Sequence, residues 1–190
     1  MSIADEVLEL FDRHGWRAYS EQVSLADHST QVARLAQEAG ASDALVLAAL
    51  LHDVGHFLDE PDSEFGVTDH GTSGSNCLDE LFIESVTEPV RLQVAAKRYR
   101  CLVEPGYVEL LSPASVGTLV LQGGAMDTGQ AAAFEAELFA EHALALRTWD
   151  DSGKVVGLRV HALEDYRRLL DDRSLHRTGF VELVSAEPGE

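Results

Sequence analysis

The chain has 190 residues, 45% apolar and 25% charged, with 14 basic against 33 acidic side chains and a formal charge of −19. That length accommodates one domain with its own core, and the balance argues against a disordered, collagen-like or membrane-spanning polypeptide. The charge repels polyanions, which argues against nucleic acid or anionic membrane as partners; a small anion would need a local cation cluster, and Lys97 and Lys154 are the only lysines. The opening MSIADEVLELF carries acids where an export signal carries bases, so a cytoplasmic protein is expected. Cys77 and Cys101 are expected to be buried thiols rather than a disulfide.

The pattern is helical almost throughout, without sustained period-two alternation or repeats, and predicts an all-α bundle: a single domain over 1–185 with a frayed tail at 186–190. After Ser24 a helix runs to about Gly40, with Val32, Leu35, Ala36 and Ala39 on its apolar stripe and His28 among them. From Ser42 the stretch DALVLAALLHDVGHFLD predicts a second helix that faces Leu45, Ala49, His52 and His56 inward. A Gly-, Ser- and acid-rich loop then delivers His70 near the start of a third helix. Pro89 suits the first turn of a fourth, whose one face carries Val90, Gln93, Val94, Lys97 and Cys101. A short helix capped by Ser112 with Pro113 at its first position sets Ser115 and Thr118 three apart. GGAM ends it. Beyond Asp127 one long helical stretch is expected to reach Arg147 and Asp150, and an amphipathic segment, HALEDYRRLLDDR, packs last across the bundle.

The chemistry concentrates in His52-Asp53, His56 one turn later, and His28 on the apolar face of the preceding helix. Burying that much unpaired polarity is costly. Imidazoles and a carboxylate converging in a bundle core are the ligand types of a divalent transition metal, and a carboxylate can bridge two ions. His14, His161 and His176 are expected to face solvent.

With His28, His52-Asp53 and Asp150 the chain resembles the HD-domain superfamily of metal-dependent phosphohydrolases and diiron oxygenases, which implies a single helical bundle with its metal site in the core. The stretches AYSEQVSLADH, LAALLHDVGH, VAAKRY, LQGGAMD and RTWDDSGK carry a tighter resemblance to its phosphonate-cleaving oxygenases, of the 2-amino-1-hydroxyethylphosphonate dioxygenase type. These stretches span roughly residues 18 to 154. The resemblance implies that His28, His52, Asp53 and Asp150 bind one iron, that Asp53 bridges to a second, and that His70 ligates the second. It also implies a phosphonate cage of His56, Lys97, Ser115, Thr118 and Arg147, with Glu21 meeting a substrate amino group and Tyr19 near the metal. The cage chemistry agrees independently, because a phosphonate dianion wants cations and hydroxyl donors. At the position where the oxygenases carry a further histidine, four residues before the cage lysine, this chain has Gln93, an amide that binds iron less firmly than imidazole.

Three readings follow. The first is a two-iron (Fe2+/Fe3+) oxygenase that uses dioxygen to cleave the carbon–phosphorus bond of a small 1-hydroxyphosphonate, giving a carboxylate and phosphate. A phosphohydrolase of small phosphate esters or nucleotides with one divalent ion (Mn, Mg, Ni or Fe) is the second. A catalytically silent phosphonate-binding protein is the third.

Overall fold

The computed structural model describes residues 2–20, 23–58, 63 and 69–175. Helices α1 (Ile3–His14), α2 (Leu25–Glu38), α3 (Asp43–Leu51), α4 (Gly55–Leu58), α5 (His70–Leu78), α6 (Glu84–Val103), α7 (Tyr107–Leu110), α8 (Pro113–Leu121), α9 (Thr128–Glu135), α10 (Ala140–Ser152) and α11 (Arg167–Arg173) carry the fold. The short strands β1 (Ala18–Ser20) and β2 (Val23–Ser24) pair antiparallel, and an isolated bridge links Phe82 to Ser174; the rest of the regular structure among the described residues is helical.

Local chemistry sets the helix starts. Ser2, Ser24, Ser42 and Ser112 each accept a backbone N–H from the first turn of the helix they precede, as does the Asp127 side chain at α9. The α3 sequence is apolar all round and is buried all round: every residue from Leu45 to Leu51 lies in the core. Around it pack α2, α6, α10 and α11, and α6 also carries α5 and α10 along its flanks.

Three expectations need correction. The stretch after Ser42 is not one helix, because a turn at 52–54 separates α3 from α4 and frees the His52 carbonyl from the helical ladder. Pro89 lies inside α6 rather than in its first turn, since α6 already starts at Glu84 after the extended Ile83. The stretch from Asp127 to Asp150 is two helices, with a break between Glu135 and Ala140 that lets α10 turn back against α6. Cys77 is buried as expected, whereas Cys101 is half-buried. His161 is exposed, but His14 is half-buried and stacks on Phe57 with ring centroids 6.0 Å apart. His176 and the tail at 186–190 lie outside the described residues.

Candidate metal centre and anion cage

Four side chains from α2, α10 and the turn after α3 meet in the core. Nε2 of His28 lies 3.1 Å from Nε2 of His52, 3.4 Å from Oδ2 of Asp53 and 3.2 Å from Oδ1 of Asp150. Nε2 of His52 lies 3.3 Å from the same Asp53 oxygen and 3.9 Å from the same Asp150 oxygen. All four residues are at most 4% exposed.

The tautomers follow from the second ring nitrogens. Nδ1 of His28 donates to the Gly153 carbonyl at 2.8 Å, and Nδ1 of His52 donates to the Ala49 carbonyl at 2.8 Å. In the neutral rings both Nε2 lone pairs then face each other with no proton between them. Oδ2 of Asp53, buried beside them, makes no hydrogen bond. Two facing lone pairs and a buried carboxylate oxygen fit a cation at their common focus, since ligand atoms about 2.1 Å from one metal stand roughly 3.0–3.5 Å apart. The electrostatics carry the same demand. Burial pulls the His28 pKa down, yet Asp150 and Asp53 outweigh it and lift it to about 9. Burial raises the carboxyls, but Arg147, Lys154 and His28 hold Asp150, and His52 and His28 hold Asp53, well below the usual range. A divalent ion supplies the positive charge that otherwise requires a proton.

The other Asp53 oxygen faces a second group. Oδ1 lies 3.6 Å from Nε2 of His70 and 3.9 Å from Nε2 of His56, and the two rings stack with centroids 4.2 Å apart at 20°. Asp53, His56 and His70 thus offer a second ion three ligand atoms, all within 4.8 Å of one another. Burial, then the neighbouring His70, pull the His56 pKa down to about 3, so its ring is neutral. Gln93 is buried next to this region, and its amide nitrogen donates to the His52 carbonyl at 2.7 Å.

Gly55 makes the second group possible. A Cβ there would stand 2.0 Å from the carbonyl oxygen of His70, so α5 reaches its position only over a bare backbone. Gly55→Ala is expected to displace His70, costing about 1–3 kcal/mol in stability by overpacking. Elemental analysis should find the second ion lost and the first retained; two retained ions would show that His70 is not a ligand.

The anion cage lies on the α6, α8 and α10 side. Lys97 is 3% exposed and its ammonium donates to the Thr118 hydroxyl at 3.0 Å. Thr118 donates onward to the Ser115 carbonyl, and the Ser115 hydroxyl meets that of Ser112 at 3.1 Å. Burial, then the charge of Arg147, pull the Lys97 pKa down to about 8. Arg147 points inward from α10 and is fully engaged: Nη1 on Asp150, Nη2 on Asp151, and Nε on the Tyr107 hydroxyl at 3.0 Å. Tyr107 itself donates to Asp151 at 2.6 Å beneath the Arg100 guanidinium. Lys154 sits 3.3 Å from Oδ1 of Asp150, which ties the cage to the first metal group.

His28, His52, Asp53 and Asp150 therefore converge; Lys97 meets Thr118 within reach of the Arg147 charge, and Ser115 joins them through its backbone carbonyl while its hydroxyl meets Ser112. His56, which the resemblance assigns to the cage, lies 3.9 Å from Oδ1 of Asp53 and stacks on His70, after the break at 52–54 restarts the helix. Glu21 and the Tyr19 side chain lie outside the described residues. Sequence reasoning did not single out Tyr107, Asp151 or Lys154. The i, i+4 spacings Arg147–Asp151 and Asp150–Lys154 were a usable signal for two of them, whereas Tyr107 enters only through tertiary packing.

Comparison with known proteins gives the family of the chain. The HD domain family matches residues 25–116. Hydroxymethylphosphonate dioxygenase of Gimesia maris is 44% identical over 165 residues, covering 84% of this chain and 82% of that protein. The glycine-betaine-forming [1-hydroxy-2-(trimethylamino)ethyl]phosphonate dioxygenase of Leisingera caerulea is 38% identical over 162 residues, covering 80% of this chain and 81% of that protein. The chain belongs to the HD-domain oxygenases that cleave phosphonates.

Proposed function

We propose that this enzyme converts a small 1-hydroxyphosphonate and one dioxygen to a carboxylate and inorganic phosphate, using two iron ions. The observation that carries this reading is the placement of a buried cation and hydroxyl cluster directly beside a metal centre in which one carboxylate faces two groups of histidines. His28, His52, Asp53 and Asp150 would hold the first iron. Asp53 and His70 would hold the second, with His56 and Gln93 next to it. Bound iron supplies the redox chemistry with dioxygen; the protein supplies everything that orients the substrate toward it.

The phosphonate would sit against Lys97 and the Ser115 and Thr118 hydroxyls, which offer charge and directed donors together. Arg147 adds positive charge while Asp150, Asp151 and Tyr107 fix its orientation, so the cage is preorganised before the anion arrives. Burial of the cage excludes water and strengthens each of these interactions.

A panel of hydroxymethylphosphonate, 2-amino-1-hydroxyethylphosphonate and its trimethylammonium counterpart tests the reading with iron-loaded protein in air and under nitrogen. Phosphate release is expected from at least one, in air alone. No release from any of them would overturn it. Release from a phosphomonoester under nitrogen, abolished by Asp53→Ala, would favour the hydrolase instead.

A further inference from the structure

We propose that Gln31 is a positioning residue for the first metal group, holding the backbone after α10 so that the Gly153 carbonyl and the Lys154 ammonium stand at His28 and Asp150. The inference rests on the reading of His28, His52, Asp53 and Asp150 as a metal centre. Gln31 lies on α2, three residues after His28, and is 3% exposed. Its amide is engaged at both ends by backbone far away in sequence. The nitrogen lies 2.9 Å from the Val155 carbonyl and 2.9 Å from the Leu158 carbonyl, and the oxygen accepts the Val155 N–H at 2.9 Å. Carbonyls only accept and an N–H only donates, so the three contacts fix which end of the amide is which.

The segment needs such a tie. Residues 153–158 leave α10 with no helix or strand to pair their backbone. Its large apolar side chains, Val155, Val156 and Leu158, are all exposed, so their burial contributes little to holding it. A turn closes from the Leu158 N–H onto the Val155 carbonyl at 3.3 Å, with Gly157 at φ +72°. Gln31 joins that turn to α2. Two residues before Val155, Gly153 lies flat against the same helix: a Cβ there would stand 2.5 Å from Cγ2 of Val32. His28, Gln31 and Val32, at i, i+3 and i+4, thus make one face of α2 that receives the segment. What this face secures is chemistry. The Gly153 carbonyl accepts the Nδ1–H of His28 at 2.8 Å and so leaves Nε2 with a lone pair toward the metal, while Lys154 stands 3.3 Å from Oδ1 of Asp150. Gln31 therefore acts on the centre through His28 and Asp150.

The affinity of the more tightly held ferrous ion, measured by chelator competition under nitrogen, tests the inference without relying on turnover. Gln31→Met keeps the length and apolar stem of the side chain and removes all three bonds; it should weaken that ion about 10–100-fold, the usual loss for an outer-sphere partner. Val7→Ala, a core truncation in α1, is the structural control. It should lower the melting temperature at least as far, with the affinity changed by less than about twofold. Gly157→Ala strains the turn through φ alone, since its Cβ would meet nothing within 4 Å, and should reproduce the loss. In the double variant the two losses should be less than additive, because both act through one turn. Thermal melts of the metal-free proteins identify a variant that fails to fold. If Gln31→Met does, Gln31→Glu takes its place with the same expected loss, because it keeps the acceptor for Val155 but sets its other oxygen against two carbonyls.

An unchanged affinity in a folded Gln31 variant, a loss in Val7→Ala as large as in that variant, or strictly additive losses in the double variant would overturn the inference and leave the metal centre intact. No ferrous ion held by the wild-type protein would overturn both. The predicted losses, with no oxygen-dependent phosphate from the substrate panel, would defeat the oxygenase reading while the positioning role stands.

Discussion

Asp53→Ala is expected to remove the second ion outright and to weaken the first by more than the roughly 10–100-fold that loss of an outer-sphere partner typically costs. The reason is geometric, because Oδ2 faces the His28–His52 pair and Oδ1 faces His70 and His56. His70→Ala is the control. It touches only the second group, so it should leave one tightly held ion. Metal content and metal affinity on the two variants check the contrast. Equal losses in both would show that Asp53 does not span two ions, and turnover should fall to background in either case.

Lys97→Met is expected to raise stability and to abolish substrate affinity together. The ammonium is buried, and its pKa of about 8 against an ordinary 10.5 means that the folded state binds the Lys97 proton more weakly than the unfolded chain does. The sign follows: this cost is fully present below pH 8, is relieved as pH rises from about 8 to 10.5, and is absent above that range. At pH 7 the shift corresponds to as much as roughly 3 kcal/mol, which an apolar side chain of similar length would recover. The Thr118 hydroxyl keeps its own acceptor at the Ser115 carbonyl, so the substitution strands no buried donor. Equilibrium unfolding at pH 7 and pH 10 checks the stability half, with the advantage of the variant expected to shrink at the higher pH. For function, kcat/KM of the wild-type enzyme should fall as pH rises through about 8, because that ratio reports the free enzyme. An unchanged KM in Lys97→Met would remove Lys97 from the cage.

On the proposed function, anion binding accounts for a buried lysine in an acidic protein. The net charge repels anions at long range, and the proposed cage would offset that repulsion locally through Lys97 with Arg147 and Lys154, whose charges act on it. Asp150 and Asp151 hold Arg147 in place, at the cost of part of its charge.

How much of this was legible in the sequence depended on whether the signal was local. Serine caps placed the starts of α2, α3 and α8, and the chemistry and spacing of the His-Asp pair with His28 marked the three side chains that meet in the core, whereas Asp150 was reached only through the family resemblance. The break after Leu51 was not legible, because LAALLHDVGHFL keeps helical spacing straight through it; the turn exists to bring Asp53 between two sets of histidines. That break sets the His56 ring against His70, 3.9 Å from Oδ1 of Asp53. Gln93 was read as a weak ligand from its place four residues before Lys97; the bond from its amide nitrogen to the His52 carbonyl, freed by that same turn, was not legible. Gly55 carried no sequence signal beyond its identity, since its role is set by a helix start 15 residues away that crosses over it.

The most direct measurement is the stoichiometry of dioxygen consumed to phosphate formed, using iron-loaded protein and hydroxymethylphosphonate or whichever panel member turns over. The account predicts one dioxygen per phosphate, one equivalent of carboxylate, and no phosphate under nitrogen. Phosphate formed without oxygen consumption, or oxygen consumed without phosphate, would contradict it.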